Sequence, residues 1–191
     1  MVGRPVNQRR RDELLDAVVD YAVDHGFAAL TWRPLAAALN VTPTTLVHRF
    51  GSKEGLVQAV QQRLREQIIA ETAQAHGQSV DIYTYARRVW ERVSDPARDG
   101  EFRLFFAVYG QALQTPEVFG DFLDHVITEP LAAFAGADIR VGDARGTDLH
   151  PAATLLIAAI RGLLLDLLTT GDRARVEAAA DALFATRLPT G

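Results

Sequence analysis

The chain has 191 residues, with 20 Lys or Arg against 24 Asp or Glu, a formal net charge of -4 and no cysteine. That length allows a small domain and a larger one, and the lack of cysteine excludes disulfides, a thiolate nucleophile and cysteine-held metals. The mean charge conceals an asymmetry: residues 1–65 hold nine basic and six acidic side chains, the remainder 11 and 18, so the N-terminal part is the one suited to a polyanion.

Residues 3–11, GRPVNQRRR, read as a short basic arm with little to bury. Arg4, Arg9, Arg10 and Arg11 would track phosphate or enter a minor groove, the alternative being a solvated terminus. Arginines stand where a signal peptide needs an apolar run, which makes the protein cytoplasmic by expectation. From Arg11 to His25 the pattern is an amphipathic helix with Leu14, Val18, Tyr21 and Ala22 on one face, ended by Gly26. Phe27 and Leu30 turn back toward the core.

Residues 31–54, TWRPLAAALNVTPTTLVHRFGSKE, predict two short helices joined by a tight turn. Thr31 is placed to cap the first, Pro34 sits in its first turn, and Leu35, Ala38 and Leu39 share a face. Asn40 suits the left-handed backbone that ends it, and Val41 plugs the angle. Thr42 caps the second helix, Pro43 is its first residue, and Leu46 and Phe50 point inward four apart. Thr44, Thr45, Val47, His48 and Arg49 are left outward, groups able to meet base edges, thymine methyls and phosphates. Gly51 stops that helix and Ser52 caps the next. Lys53 in its first turn opposes the helix dipole, a placement that suits phosphate contact. The competing reading is an ordinary helical hairpin with a solvated face.

From Arg11 to Val60 the chain resembles the N-terminal domain of TetR/AcrR-type transcriptional regulators. The resemblance rests on a first helix ended by a Gly and on Leu30, Thr31, Arg33, Leu35, Ala36, Leu39, Val41, Leu46, Phe50, Ser52, Lys53, Glu54 and Leu56. Family members usually carry Tyr at the place of Val47 and His at that of Arg49, both of which tend to touch phosphate. Val47 cannot make that bond, whereas Arg49 offers a charged one. The resemblance implies a helical C-terminal domain, a homodimer and an effector pocket.

A fourth helix runs from Lys53 to about Ala75 with Leu56, Val60, Leu64 and Ile68 at near-helical spacing, breaking at His76 and Gly77. In the family its counterpart tethers the two domains, so its tilt is expected to carry a signal. Further helices are predicted near Val80–Val93, Glu101–Gln114 and from Pro116, behind Thr115 as cap, to Gly136. Residues 136–148 read as a mobile Gly- and Asp-rich loop. Helices five to seven concentrate aromatic surface. Trp90, Phe102, Phe105, Phe106, Tyr109 and Phe122, with Phe119 beside them, are candidates for an effector pocket, oriented by Arg103, Tyr109, His125 and Asp166; a plain aromatic core is the other reading. His125 near Asp121, Asp124 and Glu129 invites an enzymatic or metal reading. Against it, no two histidines stand three or four apart and no HExxH or GxSxG occurs.

The eighth helix, PAATLLIAAIRGLLLDLLTTG, is apolar enough to raise a membrane span, but Arg161 and Asp166 at its middle oppose it. Gly171 ends it and Asp172 caps a ninth helix. A helix apolar on nearly all sides needs cover from more than one neighbour, which suggests a four-helix bundle with the same pair of a second subunit; burial within one subunit is the alternative. Leu156, Ile160, Leu164, Leu167, Val176, Ala180, Leu183 and Phe184 are the expected dimer contacts.

The expectation is therefore an all-α protein of about nine helices. Residues 1–52 would form a three-helix DNA-binding domain with a helix-turn-helix, and residues 53–191 an effector-binding and dimerisation domain. It would act as a regulator, a repressor released from a palindromic double-stranded operator by an apolar or aromatic small molecule, with no cofactor, metal, catalysis or membrane. Arg4, Thr31, Arg33, Thr42, Thr44, Thr45, Val47, His48, Arg49 and Lys53 would meet DNA. The alternative is a helical small-molecule-binding protein or enzyme that does not bind DNA.

Overall fold

The computed structural model describes residues 3–73, 80–136, 139–140 and 149–185, without the side chains of residues 3–8, 68–73, 80, 135–136 and 139–140. Among these residues nine α-helices carry the fold: α1 (Gly3–His25), α2 (Trp32–Ala38), α3 (Pro43–Phe50), α4 (Lys53–Ala73), α5 (Ile82–Val93), α6 (Asp99–Gln114), α7 (Pro116–Gly136), α8 (His150–Thr170) and α9 (Arg173–Ala185). The all-α expectation holds. One addition is a two-residue parallel pairing of β1 (Val80–Asp81) with β2 (Ile139–Arg140), too short for any alternating pattern to announce. The expected loop at 136–148 and the break at His76 and Gly77 fall mainly outside the described residues.

Packing divides the chain into two compact units, Met1–Gln67 with Gly100–Asp124 and Ile68–Asp99 with His125–Gly191. The division at residue 52 read from the sequence follows the motif instead. It differs from the packing because α4 gives Leu56, Val57, Val60 and Leu64 to the buried set of the first unit, as α6 gives Phe102, Leu104, Val108 and Ala112. Each of these side chains other than Ala112 contributes about 1.5–3 kcal/mol when fully buried.

In the first unit α1 is longer than the sequence predicts, because the backbone of residues 3–11 continues the helix. Pro5 does not prevent this: in a first turn its missing N–H would have had no partner. Val18, Val19 and Ala22 bury one face of α1. A forked pair ties it to α4, with Arg63 Nε donating to Asp16 Oδ1 at 2.7 Å and Nη2 to Oδ2 at 2.9 Å. That bond and the Asp16 charge raise the guanidinium pKa further. Along the same stretch of α4, α7 kinks at Phe119 (φ -115°, ψ 21°). A kink leaves carbonyls without their helical partners, and the Val118 carbonyl accepts from Gln58 Nε2 at 2.7 Å. Thr115 does not cap α7 with its hydroxyl, which donates back to the Gln111 carbonyl of α6 at 3.0 Å.

In the second unit α5, α8 and α9 pack pairwise. Trp90 is fully buried, and its Nε1 donates to Glu177 Oε2 at 3.0 Å. Arg173 completes this polar edge, donating to the Ser94 carbonyl at 2.7 Å and to Glu177 at 3.3 Å. Tyr85 meets Phe134 edge to face at 4.7 Å, and burial pushes its phenol pKa up. By length and composition α8 could cross a membrane, yet both of its central charges are satisfied within the unit. Arg161 donates to the Val126 carbonyl, and Asp166 accepts two bonds from Arg175 at 2.8 and 2.7 Å. Gly171, left-handed at φ 68°, ends α8, and Asp172 Oδ1 accepts from the Arg175 amide in the first turn of α9.

Candidate nucleic-acid interface

The turn between α2 and α3 is built from backbone bonds. Asn40 is left-handed at φ 52°, its amide donates to the Ala37 carbonyl, and the Val41 amide reaches back to Ala36 at 3.0 Å. This is the paired closure by which a helix satisfies its last carbonyls before turning. Leu35 and Ala36 are buried, whereas Ala38, expected on the inner face, is exposed. Thr31 sits at the predicted cap position but makes no capping bond with its side chain.

Thr42 does cap α3. Its hydroxyl accepts from the Thr45 amide at 3.1 Å and lies 2.9 Å from the Thr45 hydroxyl. Two hydroxyls joined in this way spend one proton on each other and keep one to donate outward. Leu46 is fully buried and anchors the helix; Phe50 is half-buried. With the inner face thus used, Thr44, Thr45 and His48 are exposed, Val47 is 42% exposed and Arg49 is half-buried. A valine open to water amid polar neighbours is the shape that a thymine methyl can cover.

Gly51, at φ 76°, closes α3, and the Ser52 hydroxyl then accepts from the Gly55 amide at 3.0 Å to start α4. Gly55 was not singled out in the sequence. A Cβ there would lie 2.3 Å from the Phe50 carbonyl oxygen, so only glycine lets α4 begin this close behind α3. A small residue in the first turn directly after a helix stop is the signal that could have found it. Lys53 is exposed in this first turn, as are Thr31, Arg33 and Thr42 on the same domain. The Glu54 carboxylate is held below its ordinary pKa by a backbone hydrogen bond and one from Ser52. The positive end of α4 thus already carries an anion of its own, with Lys53 beside it. The Arg4 side chain lies outside the described residues; Arg9 pairs with Glu13 at 2.9 Å, while Arg10 and Arg11 are exposed.

This frame has known counterparts. Residues 14–60 match the model of bacterial regulatory proteins of the tetR family. The helix-turn-helix domain is a TetR-family domain. Solved structures extend the likeness of fold beyond it. The multidrug binding protein EbrR, complexed with imidazole, superimposes with a TM-score of 0.72 at 22% identity, covering 96% of this chain and 92% of that one. A putative transcriptional regulator from Rhodococcus sp. RHA1 gives 0.69 at 19% identity, over 93% and 94%, and Salmonella enterica GusR 0.67 at 23%, over 96% and 94%. No curated protein matches the sequence. The family match at residues 14–60 supports DNA-binding regulation as the activity of that domain, and the solved neighbours show that the fold is shared.

Outside the TetR-family domain, the residues considered for an effector pocket do not form one set. Phe102, Arg103, Phe105, Phe106, Tyr109 and Phe122 belong to the first unit, and Trp90, His125 and Asp166 to the second. Phe105 packs on Phe102, Phe106, Tyr109 and Phe122 with centroids 5.4–6.4 Å apart, so most of this surface is spent on ring-to-ring contact. Arg103 is exposed and Asp166 is taken up by Arg175. A separate cavity of about 220 Å³ in the first unit is lined by Gln58, Gln61, Gln62, Arg65, Val118, Phe119, Asp121 and Phe122.

The residues expected at a dimer interface are mostly turned inward. Leu156, Ile160, Leu164, Leu167, Val176 and Ala180 are buried within the second unit, Leu183 and Phe184 partly so. The physical reason is that α8 spends its wider apolar face on α5 and α9 of its own chain. What stays outside is a second stripe, Leu155 (47% exposed), Ala158, Gly162 and Leu165 (49%).

Proposed function

We propose that the protein is a dimeric, ligand-responsive transcriptional repressor that places α3 of each subunit in the major groove of a palindromic operator. The observation that carries this is the outward face of α3, where Thr44, Thr45, Val47 and His48 stand exposed on a TetR-family frame while Leu46 alone is fully buried. Thr44, Thr45, Val47 and His48 read bases. Thr31, Thr42, Arg49 and Lys53 take phosphate, Arg33 serves either role, and Arg4 adds a contact from the N-terminal end of α1. DNA is bound by the N-terminal stretch, residues 1–65, where the basic side chains outnumber the acidic ones.

Dimerisation is assigned to the outer stripe of α8. Leu155, Ala158, Gly162 and Leu165 recur at intervals of three and four residues, the spacing of a helix-packing seam. Nothing within 4 Å meets a Cβ placed on Gly162, so a partner helix can approach closely there. An exposed leucine pair on an apolar helix is the patch a second copy covers. A small molecule bound in the protein would alter the separation of the two reading helices and release the operator. That EbrR is a multidrug binding protein supports a ligand-responsive reading of the shared fold. Proteins of this family act generally by binding rather than catalysis, and the protein is assigned to the cytoplasm with its DNA.

Selection of bound sites from random duplex DNA tests the reading. The expected product is a palindrome whose half-sites change when His48 is replaced; recovery of no enriched sequence would overturn it.

A further inference from the structure

The cavity beside the kink of α7 holds a polar group that the fold itself does not use. Gln61 is 4% exposed, and its Nε2 is sealed from solvent with no hydrogen-bond partner among the described residues. A buried amide donor left in that condition is destabilising, because it has given up water and gained no acceptor. It is not an isolated defect, because Gln61 lines the cavity together with Arg65, Phe119 and Phe122. Phe119 and Phe122 are 6% and 5% exposed. Arg65 is nearly as enclosed, with its side chain 14% exposed, whereas Asp121, 3.9 Å from it, is 77% exposed. The cationic end therefore lies deep and the anionic end sits at the mouth, where water screens it.

From these residues we infer that the cavity binds a small monocarboxylate with a flat apolar body. A turn of the Gln61 side chain brings Nε2 to the carboxylate, which also accepts from the Arg65 guanidinium, the charge-assisted contact that favours this group over a neutral carbonyl. The apolar body packs against the rings of Phe119 and Phe122. A volume of about 220 Å³ equals that of roughly seven liquid waters, which admits a benzoate-sized molecule and excludes a drug-sized one. Gln58 closes one end by clasping the Val118 carbonyl, so occupancy bears directly on how α4 and α7 are joined. Since α4 begins at Lys53, the same helix carries the candidate phosphate contact. Binding does not depend on the DNA-reading proposal; only its effect on the operator does.

The test uses the full chain and benzoate as probe, with benzamide and benzylamine as controls, followed by calorimetry and by the side-chain amide signals of the ¹⁵N-labelled protein. Benzoate should saturate and shift the Gln61 amide signal, benzamide should bind more weakly, and benzylamine should not bind. Gln61→Leu should weaken benzoate about tenfold or more, and Asp121→Asn should tighten it severalfold by removing the opposing charge. Absence of saturation at about 10 mM, an unmoved Gln61 signal, or equal binding of benzylamine would overturn the site. The Gln61 signal is read on unmodified protein and so decides the matter even if Gln61→Leu does not fold. Release of DNA by benzoate is measured separately, so loss of that effect with binding intact would count against the regulatory reading alone.

Discussion

The exposed faces of α3 and α8 begin from the same local rule and end with opposite chemistry. Both helices bury an inner stripe: Leu46 in α3, and Leu156, Ile160, Leu164 and Leu167 in α8. Outside, α3 presents hydroxyls, an imidazole and one valine, while α8 presents Leu155, Ala158, Gly162 and Leu165. The first set can exchange water for hydrogen bonds to a polar, charged duplex; the second gains only by excluding water against another apolar surface. What an amphipathic helix recognises is thus decided by the residues its own core leaves over.

Breaking the frame should cost most. Leu46→Ala removes the anchor of α3 and should lower stability by about 2–5 kcal/mol, read by thermal or denaturant unfolding; a loss below 1 kcal/mol would mean that α3 is held chiefly by other contacts. The α8 face is addressed by Leu165→Asp, which places a charge in the proposed seam. Sedimentation should then report a monomer where the unmodified chain is a dimer, with helicity retained; a dimer of unchanged strength would move the interface elsewhere.

Smaller effects sharpen the α3 side. Loss of the Thr42 cap in Thr42→Ala should destabilise by about 0.5–2 kcal/mol, and the simultaneous loss of its hydroxyl from the interface would appear as an additional change in DNA affinity. Lys53→Ala should weaken all duplexes alike and reduce the slope of log affinity against log salt by about 0.9; an unaltered slope would remove Lys53 from the phosphate contacts. The smallest effect concerns Glu54. Its folded pKa is depressed below the ordinary 4.5, so the stability it contributes is fully present above that value and is lost as pH falls through the folded pKa. Unfolding of Glu54→Gln should match the unmodified protein's pH dependence above pH 4.5 and lack a part of its acid loss below it. Identical acid limbs would remove the carboxylate from the α4 cap.

Much of the first domain could be read from the chain because its signals are local. Asn40, Thr42, Pro43, Gly51 and Ser52 mark their turns and caps within a few residues, and the inward spacing of Leu46 is a property of one helix. Thr31 shows the limit of that logic: the residue type and position suit a cap, but whether a hydroxyl rotates onto an amide depends on the surroundings. The arm at 3–11 is another case, since basic composition speaks of charge and not of whether the backbone coils.

The sequence by itself determined an all-helical chain, a TetR-like reading head and a basic end for a polyanion, because caps, periodicity and charge are written residue by residue. Tertiary structure alone decided which apolar face of α8 stays open, that Asp166 belongs to Arg175, that Gly55 is required under the Phe50 carbonyl and that Gln61 faces a cavity. Each of these depends on which distant segment arrives at a side chain, and a helix apolar all round carries no mark of the side its neighbours will take.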